Sequence, residues 1–295
     1  MRDRARAPLA SSKHAAQQLK HRAFLAYKPY RFRVAGAVEP VFRAAHKLRP
    51  YRLDPDDWPG THLPHHEPLT RRTDEALPRR IFVFWTGDNA VSAQRQRGIE
   101  SLRALNPGLD VVLITPENLN AYLLPTHPLH PSYDSLSFIH RADYLKSYFM
   151  QFHGGGYADI KPARNSWEPV FDRMDDSEQW MAGYRVPVRL MTPNDPNPRL
   201  EKVMRRCSEV RLGQCSYIAR PDTPLTREWW VELNHRMDRY ADQLALHPGN
   251  ARGDNPGYPV PFNALLAQVV DPLQVKYRDA LLYDERLFPD HDNYQ

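Results

Sequence analysis

Residues 80–114 constrain the chain most. Arg80-Ile81-Phe82-Val83-Phe84-Trp85 is a β-branched and aromatic run bounded by Pro78 and by Thr86-Gly87, which predicts a strand buried on both faces. A helical stretch over 92–105 and an Asn106-Pro107-Gly108 turn lead to a second run, Asp110-Val111-Val112-Leu113-Ile114, closed by Thr115-Pro116. Strand, helix and strand at this spacing form a βαβ unit and hence a parallel sheet. Ligands of such sheets gather at the carboxyl ends of the strands, where Trp85 and Gly87 fall. Downstream, the pattern predicts a helix over 135–152, with Phe138, Ala142, Leu145 and Phe149 as its buried stripe. His153-Gly154-Gly155-Gly156 then reads as a helix stop and 157–160 as a short strand. Further strands are expected over 180–184 and 216–219, a helix over 226–244, and a Pro-interrupted apolar segment over 258–270. The fold class is α/β.

Charge divides the chain. Residues 1–52 hold 13 Lys and Arg against Asp3 and Glu39, whereas the remainder is acidic. The basicity therefore belongs to an N-terminal extension and says little about the main site. Within 14–52, Leu19, Phe24, Leu25, Tyr27, Tyr30, Phe32, Val34, Val38, Val41, Phe42 and Leu48 alternate with basic residues. Short basic amphipathic helices, broken at Pro29, Pro40 and Pro50, are expected there. Such an extension suits either peripheral contact with anionic lipid or a solvated arm on the body. Residues 53–79 have no sustained period and read as a linker or wrapping segment. Its His62, His65 and His66 read as solvated rather than metal-bound. Residues 80–295 then form the main domain.

Several classes are set aside. Cys207 and Cys215 cannot build a disulfide framework and lack metal-type spacing. No apolar run approaches the roughly 18 residues of a membrane helix, and the charged start has no apolar stretch behind it. A cytoplasmic location is expected, with a place at the inner face of the membrane if the extension binds lipid. No nucleic-acid-reading motif is present, and the body is acidic.

The chemistry concentrates in Arg141-x-Asp143-x-x-Lys146-(x)7-Gly154-Gly155-Gly156-Tyr157-Ala158-Asp159-Ile160-Lys161. It delivers a helix, a glycine turn that lets backbone approach a ligand, and a carboxylate at a strand end. That combination suits a sugar nucleotide. The carboxylate accepts hydroxyls, and cations neutralise the diphosphate. The segment resembles the D-x-x-(R/K)-(x)7-G-G-x-Y-x-D-x-D signature of the DXD-type sugar transferases. These include capsular-polysaccharide glycosyltransferases and, more distantly, the glucosylating bacterial toxins. Ile81 to Gly87 resembles their first strand, I-x-x-x-W-x-G, and Ser216–Pro224 and Gly257–Pro261 resemble later core segments. The likeness covers about residues 78–280.

The resemblance implies a GT-A-like open, mostly parallel sheet flanked by helices; the basic N-terminal helical extension read from the charge pattern lies outside it. It also implies transfer, mostly with retention of anomeric configuration, from a nucleotide-diphosphate sugar to a hydroxyl of a saccharide or glycolipid acceptor, in capsular or other surface polysaccharide synthesis. Carried over by position, Trp85 stacks on the base beside Gly87. Arg141, Asp143, Lys146, Gly155, Gly156 and Tyr157 line the donor site, with Asp254 near the phosphates, and Asp159 is catalytic; Lys161, also expected to be catalytic, does not match the family's residue.

One position departs. The family's second DXD carboxylate, a Mn2+ or Mg2+ ligand, is Lys161 here. Asp159 alone holds a divalent ion poorly, since hard cations take several oxygens. A metal on Asp159, completed by Asp254, His247 or substrate phosphates, remains the alternative to the leading expectation, in which Lys161 supplies the charge and no metal is required. A non-catalytic nucleotide-sugar-binding homologue is the competing reading.

Overall fold

The structure is a computed structural model, and it describes Tyr30, residues 33–68 and residues 76–290. Leu19, Phe24, Leu25, Tyr27 and Phe32 lie outside the described residues. Among the described residues six strands form one sheet: β1 (Arg80–Phe84), β2 (Asp110–Ile114), β3 (Gly155–Ala158), β4 (Met181–Arg185), β5 (Leu212–Ala219) and β6 (Leu281–Tyr283). Their order is β2-β1-β3-β5-β4-β6. β1 pairs in parallel with β2 and β3, β4 in parallel with β6, and only β5 runs against its neighbours. The βαβ expectation therefore holds, as an open and mostly parallel sheet.

Seven helices surround it among the described residues: α1 over 33–48, α2 (Ala93–Leu105), α3 (Phe138–Phe152), α4 (Glu168–Asp175), α5 (Pro198–Arg206), α6 (Pro224–Leu246) and α7 (Ala267–Lys276). Two-residue alternation sends β1 side chains to opposite faces. Phe82 and Phe84 join Tyr157 and Tyr217 in a core with α3, α6 and α7. Ile81 and Val83 join Ala158, Ala182 and Ile218 in a core with α2 and α4. The sheet is thus the middle of three layers, and its strands read as continuous apolar runs because both faces are covered.

Several expectations shift. Residues 33–48 form one helix through Pro40, where a break was expected. The lost hydrogen bond there is offset by docking on either side. The buried Glu39 accepts from Ser208 Oγ and Arg189 N, Arg43 donates to Val186 O and Pro187 O, and His46 bonds Glu209. α3 begins at Phe138 with Ser137 as its cap, three residues later than expected. It is buried almost all round over 143–151 rather than along a stripe, since α6 covers the side away from the sheet. α5 has the start signal Asn197-Pro198, whose Asn197 side chain caps the helix. α7 contains Pro272, which disguised it.

Residues 53–68 wrap the body. Leu53, Trp58 and Leu63 belong to the main core. His62 bonds Val269 O at 3.2 Å, and burial holds its pKa down at about 4. His65 bonds Glu67 Oε1 at 2.7 Å. The pH consequence has a definite sign. Between pH 6.5 and 4 the unfolded chain takes a proton that folded His62 refuses, so stability falls as pH falls through that window. The expected loss from this group is on the order of 3 kcal/mol. Urea midpoints at pH 7 and 4.5 should diverge more for the native chain than for His62→Gln. Equal divergence would rule this origin out.

Candidate functional site

The chain leaves β1 toward β2 on one side and returns as β3 on the other, so the carboxyl ends of β1 and β3 flank the point where strand order reverses. Open α/β sheets bind ligands in that crevice. Trp85 and Asp159, one from each part of the sequence-predicted site, lie at this edge. Past β1, Trp85 N donates to Ile114 O and prolongs the parallel pairing. Thr86 Oγ1 donates to Phe138 O at 2.6 Å, fixing the turn to the first residue of α3. At Gly87 a Cβ would lie 3.3 Å from the Phe138 ring, which closes the turn against α3. The half-buried Trp85 donates its indole N–H to Asn89 O at 2.6 Å. Only its ring remains for a ligand, which suits stacking rather than hydrogen bonding.

β3 ends at Ala158, so Asp159 is the first residue beyond the strand, not a residue within it. Antiparallel pairing of β3 with β5 places Asp159 N on Cys215 O at 2.7 Å. Asp159 accepts from Tyr157 Oη at 2.6 Å and pairs with Lys161 Nζ at 3.1 Å. Lys161 also donates to Cys215 Sγ at 3.0 Å. Behind them, Lys146 pairs with Asp143 at 3.0 Å and lies 4.8 Å from the centre of the Tyr157 ring. Burial pushes the Asp159 carboxyl up, but Lys146, then Lys161 and the Tyr157 hydroxyl outweigh it and hold it below the usual range. Burial works against the charge of both lysines, yet Asp143 and Asp159 hold Lys146 up, and Asp159 does the same for Lys161. Two carboxylates and two ammonium groups make a neutral, hydrogen-bonded cluster. The Asp159 side chain keeps 21% of its surface in solvent, against 8% or less for Asp143, Lys146 and Lys161.

Local packing explains why the cluster sits here. Gly98 of α2 lets the Lys161 backbone approach, since a Cβ there would meet it at 3.2 Å. Arg95 Nη1 holds Ile160 O at 2.8 Å. Tyr157 is clamped between Phe84 (ring centres 5.3 Å apart) and Tyr217, and burial drives its hydroxyl far above the ordinary phenol range. Tyr157 thus orients Asp159 instead of facing a substrate.

Other expected site residues are placed elsewhere or otherwise engaged. Gly155 and Gly156 open β3 at its amino end, about 13 and about 10 Å along the strand from Asp159 at some 3.3 Å per residue. The close approach they permit is to protein. At Gly155, with φ of +92°, a Cβ would meet Arg80 O at 2.8 Å, and at Gly156 it would meet Ile81 and Trp167 at 3.2 Å. Asp143 and Lys146 are buried against each other instead of projecting toward a ligand. Arg141 donates to Leu136 O at 3.1 Å and to Asp134 O, bracing the turn before α3. Asp254 is exposed and accepts from Asn250 Nδ2 at 2.7 Å. Its loop is anchored at the start of α3, where the Tyr258 hydroxyl accepts from Ser137 N at 3.1 Å and bonds His140 Nδ1 at 2.8 Å.

The same edge carries a feature that sequence reasoning missed. A cavity of about 550 Å³ lies between the end of β4, the start of β5, the loop after β4 and α7. Tyr184, Gly213, Gln214 and Cys215 form its sheet wall, Leu190, Met191 and Phe262 its apolar rim, and Arg211 with Asp271 its floor. It meets the Asp159 cluster at Cys215. A smaller void beside Asp159 and Lys161, about 10 Å³, holds at most one water. Neither Cys215 nor Gln214 carries a motif. They reach the site through cross-strand register, which a single sequence does not display.

No family model, curated protein or solved structure matches this chain. Among the described residues there is no group of three or more His, Cys, Asp or Glu able to hold a metal. The donor set at Asp159 also does not fit a divalent cation, because both carboxylate oxygens face a hydroxyl donor or an ammonium. The cluster suits an anionic or hydroxyl-bearing ligand that exchanges for these internal partners. No helix among the described residues is long and apolar enough to cross a membrane.

Proposed function

We propose that the chain is a glycosyltransferase that moves a sugar from a nucleotide-diphosphate donor to a hydroxyl acceptor in surface polysaccharide synthesis. The observation that supports this reading is that Trp85 and Asp159 follow the carboxyl ends of β1 and β3, with Lys161 bonded to Cys215 in the wall of a cavity of ligand size. In this reading the Trp85 ring stacks on the base and Asp159 accepts sugar hydroxyls. The bond from the anomeric carbon to the β-phosphate oxygen breaks, the acceptor oxygen bonds that carbon, and its proton leaves with the phosphate. Charge grows on the diphosphate, so Lys161 stabilises the transition state more than the ground state. Lys146, behind Tyr157 and paired to Asp143, acts at a distance by keeping Asp159 ionised.

A second reading, nucleotide-sugar binding without transfer, is favoured by one observation. Asp159 and Lys161 already satisfy each other, and a donor must displace that pair. Melting temperatures with UDP-, GDP- and dTDP-sugars separate the readings. One donor class should raise Tm, by about 2.7 kcal/mol of added stability at a hundredfold excess over Kd, and EDTA should leave the shift unchanged. Trp85→Ala should weaken that binding by roughly 1–3 kcal/mol. A shift with neither hydrolysis nor transfer selects the second reading. No shift with any donor removes both, and a shift that requires Mn2+ removes the metal-independent form.

A further inference from the structure

α1 docks by one side and leaves another bare. Ala35, Glu39 and His46 are buried against the body. Val34, Val38, Val41, Ala45 and Leu48, spaced four, three, four and three residues apart, line an adjacent face in solvent. Val41 is 68% and Leu48 89% exposed. Scattered apolar residues need no explanation, but a continuous stripe along one helix does. A hollow of about 520 Å³ lies along the next flank of the helix, between α1 and α5. Phe42, Ala45, His46 and Arg49 form one wall, and Arg189, Lys202, Arg205 and Arg206 the other, with no carboxylate among the described lining residues. Glu201 engages one of these cations, Arg205, at 3.2 Å. Lys202, Arg205 and Arg206 are exposed. Ala45 belongs to both features, so the apolar stripe and the cationic hollow are contiguous. The chain leading into α1 brings seven more Lys and Arg in residues 1–29.

We propose that this α1–α5 face seats on an anionic lipid bilayer, with the Val34–Leu48 stripe in the interface and the Arg49, Arg189, Lys202, Arg205 and Arg206 hollow receiving a phosphate-bearing headgroup. Apolar burial and attraction to anionic lipid together give an interfacial helix its affinity, and basic side chains add to it only within a Debye length of the surface. A soluble polyanion accounts for the cations but not for the stripe, and a neutral apolar partner for the stripe but not for the cations. The inference does not depend on the transferase reading.

The test uses the full chain and sucrose-loaded vesicles of phosphatidylcholine, with and without phosphatidylglycerol, with soluble polyphosphate as the competing anion. The native chain should sediment with the anionic vesicles and much less with neutral ones. Val38→Glu/Val41→Glu should lose vesicle binding at least tenfold while keeping polyphosphate binding. Lys202→Glu/Arg205→Glu/Arg206→Glu should lose both, about a hundredfold on vesicles if each cation contributes as a basic residue near a membrane does. Cooperative melting close to the native temperature would show both variants folded, since the positions are exposed and the surface pair of Arg205 with Glu201 contributes little. If Val38→Glu/Val41→Glu binds vesicles like the native chain, the basic leader alone is responsible and the proposal fails. It also fails if the native chain binds polyphosphate but not vesicles.

Discussion

Asp159→Asn is expected to lose donor turnover by about 10²–10³-fold, the usual consequence of removing one preorganised electrostatic partner, and to lose stability as well. The second effect comes from the lysines. Asp159 is the anion opposite Lys161 and, after Asp143, the second carboxylate that holds Lys146 charged, and an amide leaves that charge unbalanced in a mostly buried place. Breaking a fully buried ion pair costs roughly 3–5 kcal/mol. With a fifth of the Asp159 side chain in solvent, about 2–3 kcal/mol is the reasonable expectation here. Because the carboxyl is held below its ordinary range when folded, its contribution is present above the unfolded value, 3.8, and is lost only in stronger acid. The deficit of the variant should therefore persist from pH 8 to 5. The check is a double-mutant cycle by urea unfolding. Asp159→Asn should cost clearly less in a Lys161→Met background, and strict additivity would mean that the two groups are not coupled. A variant with native turnover would remove this site from the proposed reaction.

Arg211→Met is expected to be strongly destabilising although it lies outside the cluster. Arg211 and Asp271 pair at 2.6 Å with side-chain exposures of 1% and 4%, and Gln214 Nε2 completes Asp271 at 2.8 Å. Truncating the cation strands a buried carboxylate, at about 3–5 kcal/mol. Arg211 Nη2 also holds Met191 O at 2.6 Å, tying down the loop that roofs the 550 Å³ cavity. That loop should exchange its amide hydrogens faster in the variant. Burial already raises the Asp271 carboxyl, with Arg211 opposing. Without the guanidinium it rises further, and a carboxyl whose folded pKa lies above its unfolded value contributes stability on the acid side. The deficit should therefore shrink as pH falls from 7 toward 5. Arg211→Met/Asp271→Leu should recover most of the loss, because neither charge is then left alone. If the double variant is as unstable as the single one, the cost arises from the lost loop contact rather than from the charge.

Both predictions concern pairs that the sequence displays unequally. Asp159 and Lys161 are two residues apart, and their chemistry is visible in one line of letters. Arg211 and Asp271 are joined only where β5 meets α7, and nothing in their local sequence marks them. The same contrast holds for the glycines. Gly154-Gly155-Gly156 was legible as a backbone that needs unusual freedom, and Gly154 and Gly155 do adopt φ of +64° and +92°. Yet what comes close is Pro221 and the Arg80 carbonyl rather than a ligand.

By itself the sequence determined the βαβ start, the alternation that buries β1 on both faces, and the carboxylate at the end of β3. Each of these follows from side-chain periodicity and backbone propensity within a few residues. The tertiary structure decided what those residues face. Antiparallel β5 brought Cys215 to Lys161, α3 turned Asp143 and Lys146 inward as a pair, and docked residues on both sides carried α1 through Pro40. Burial and pairing depend on which distant segment arrives as a neighbour, and that is fixed by packing of the whole chain rather than by local pattern.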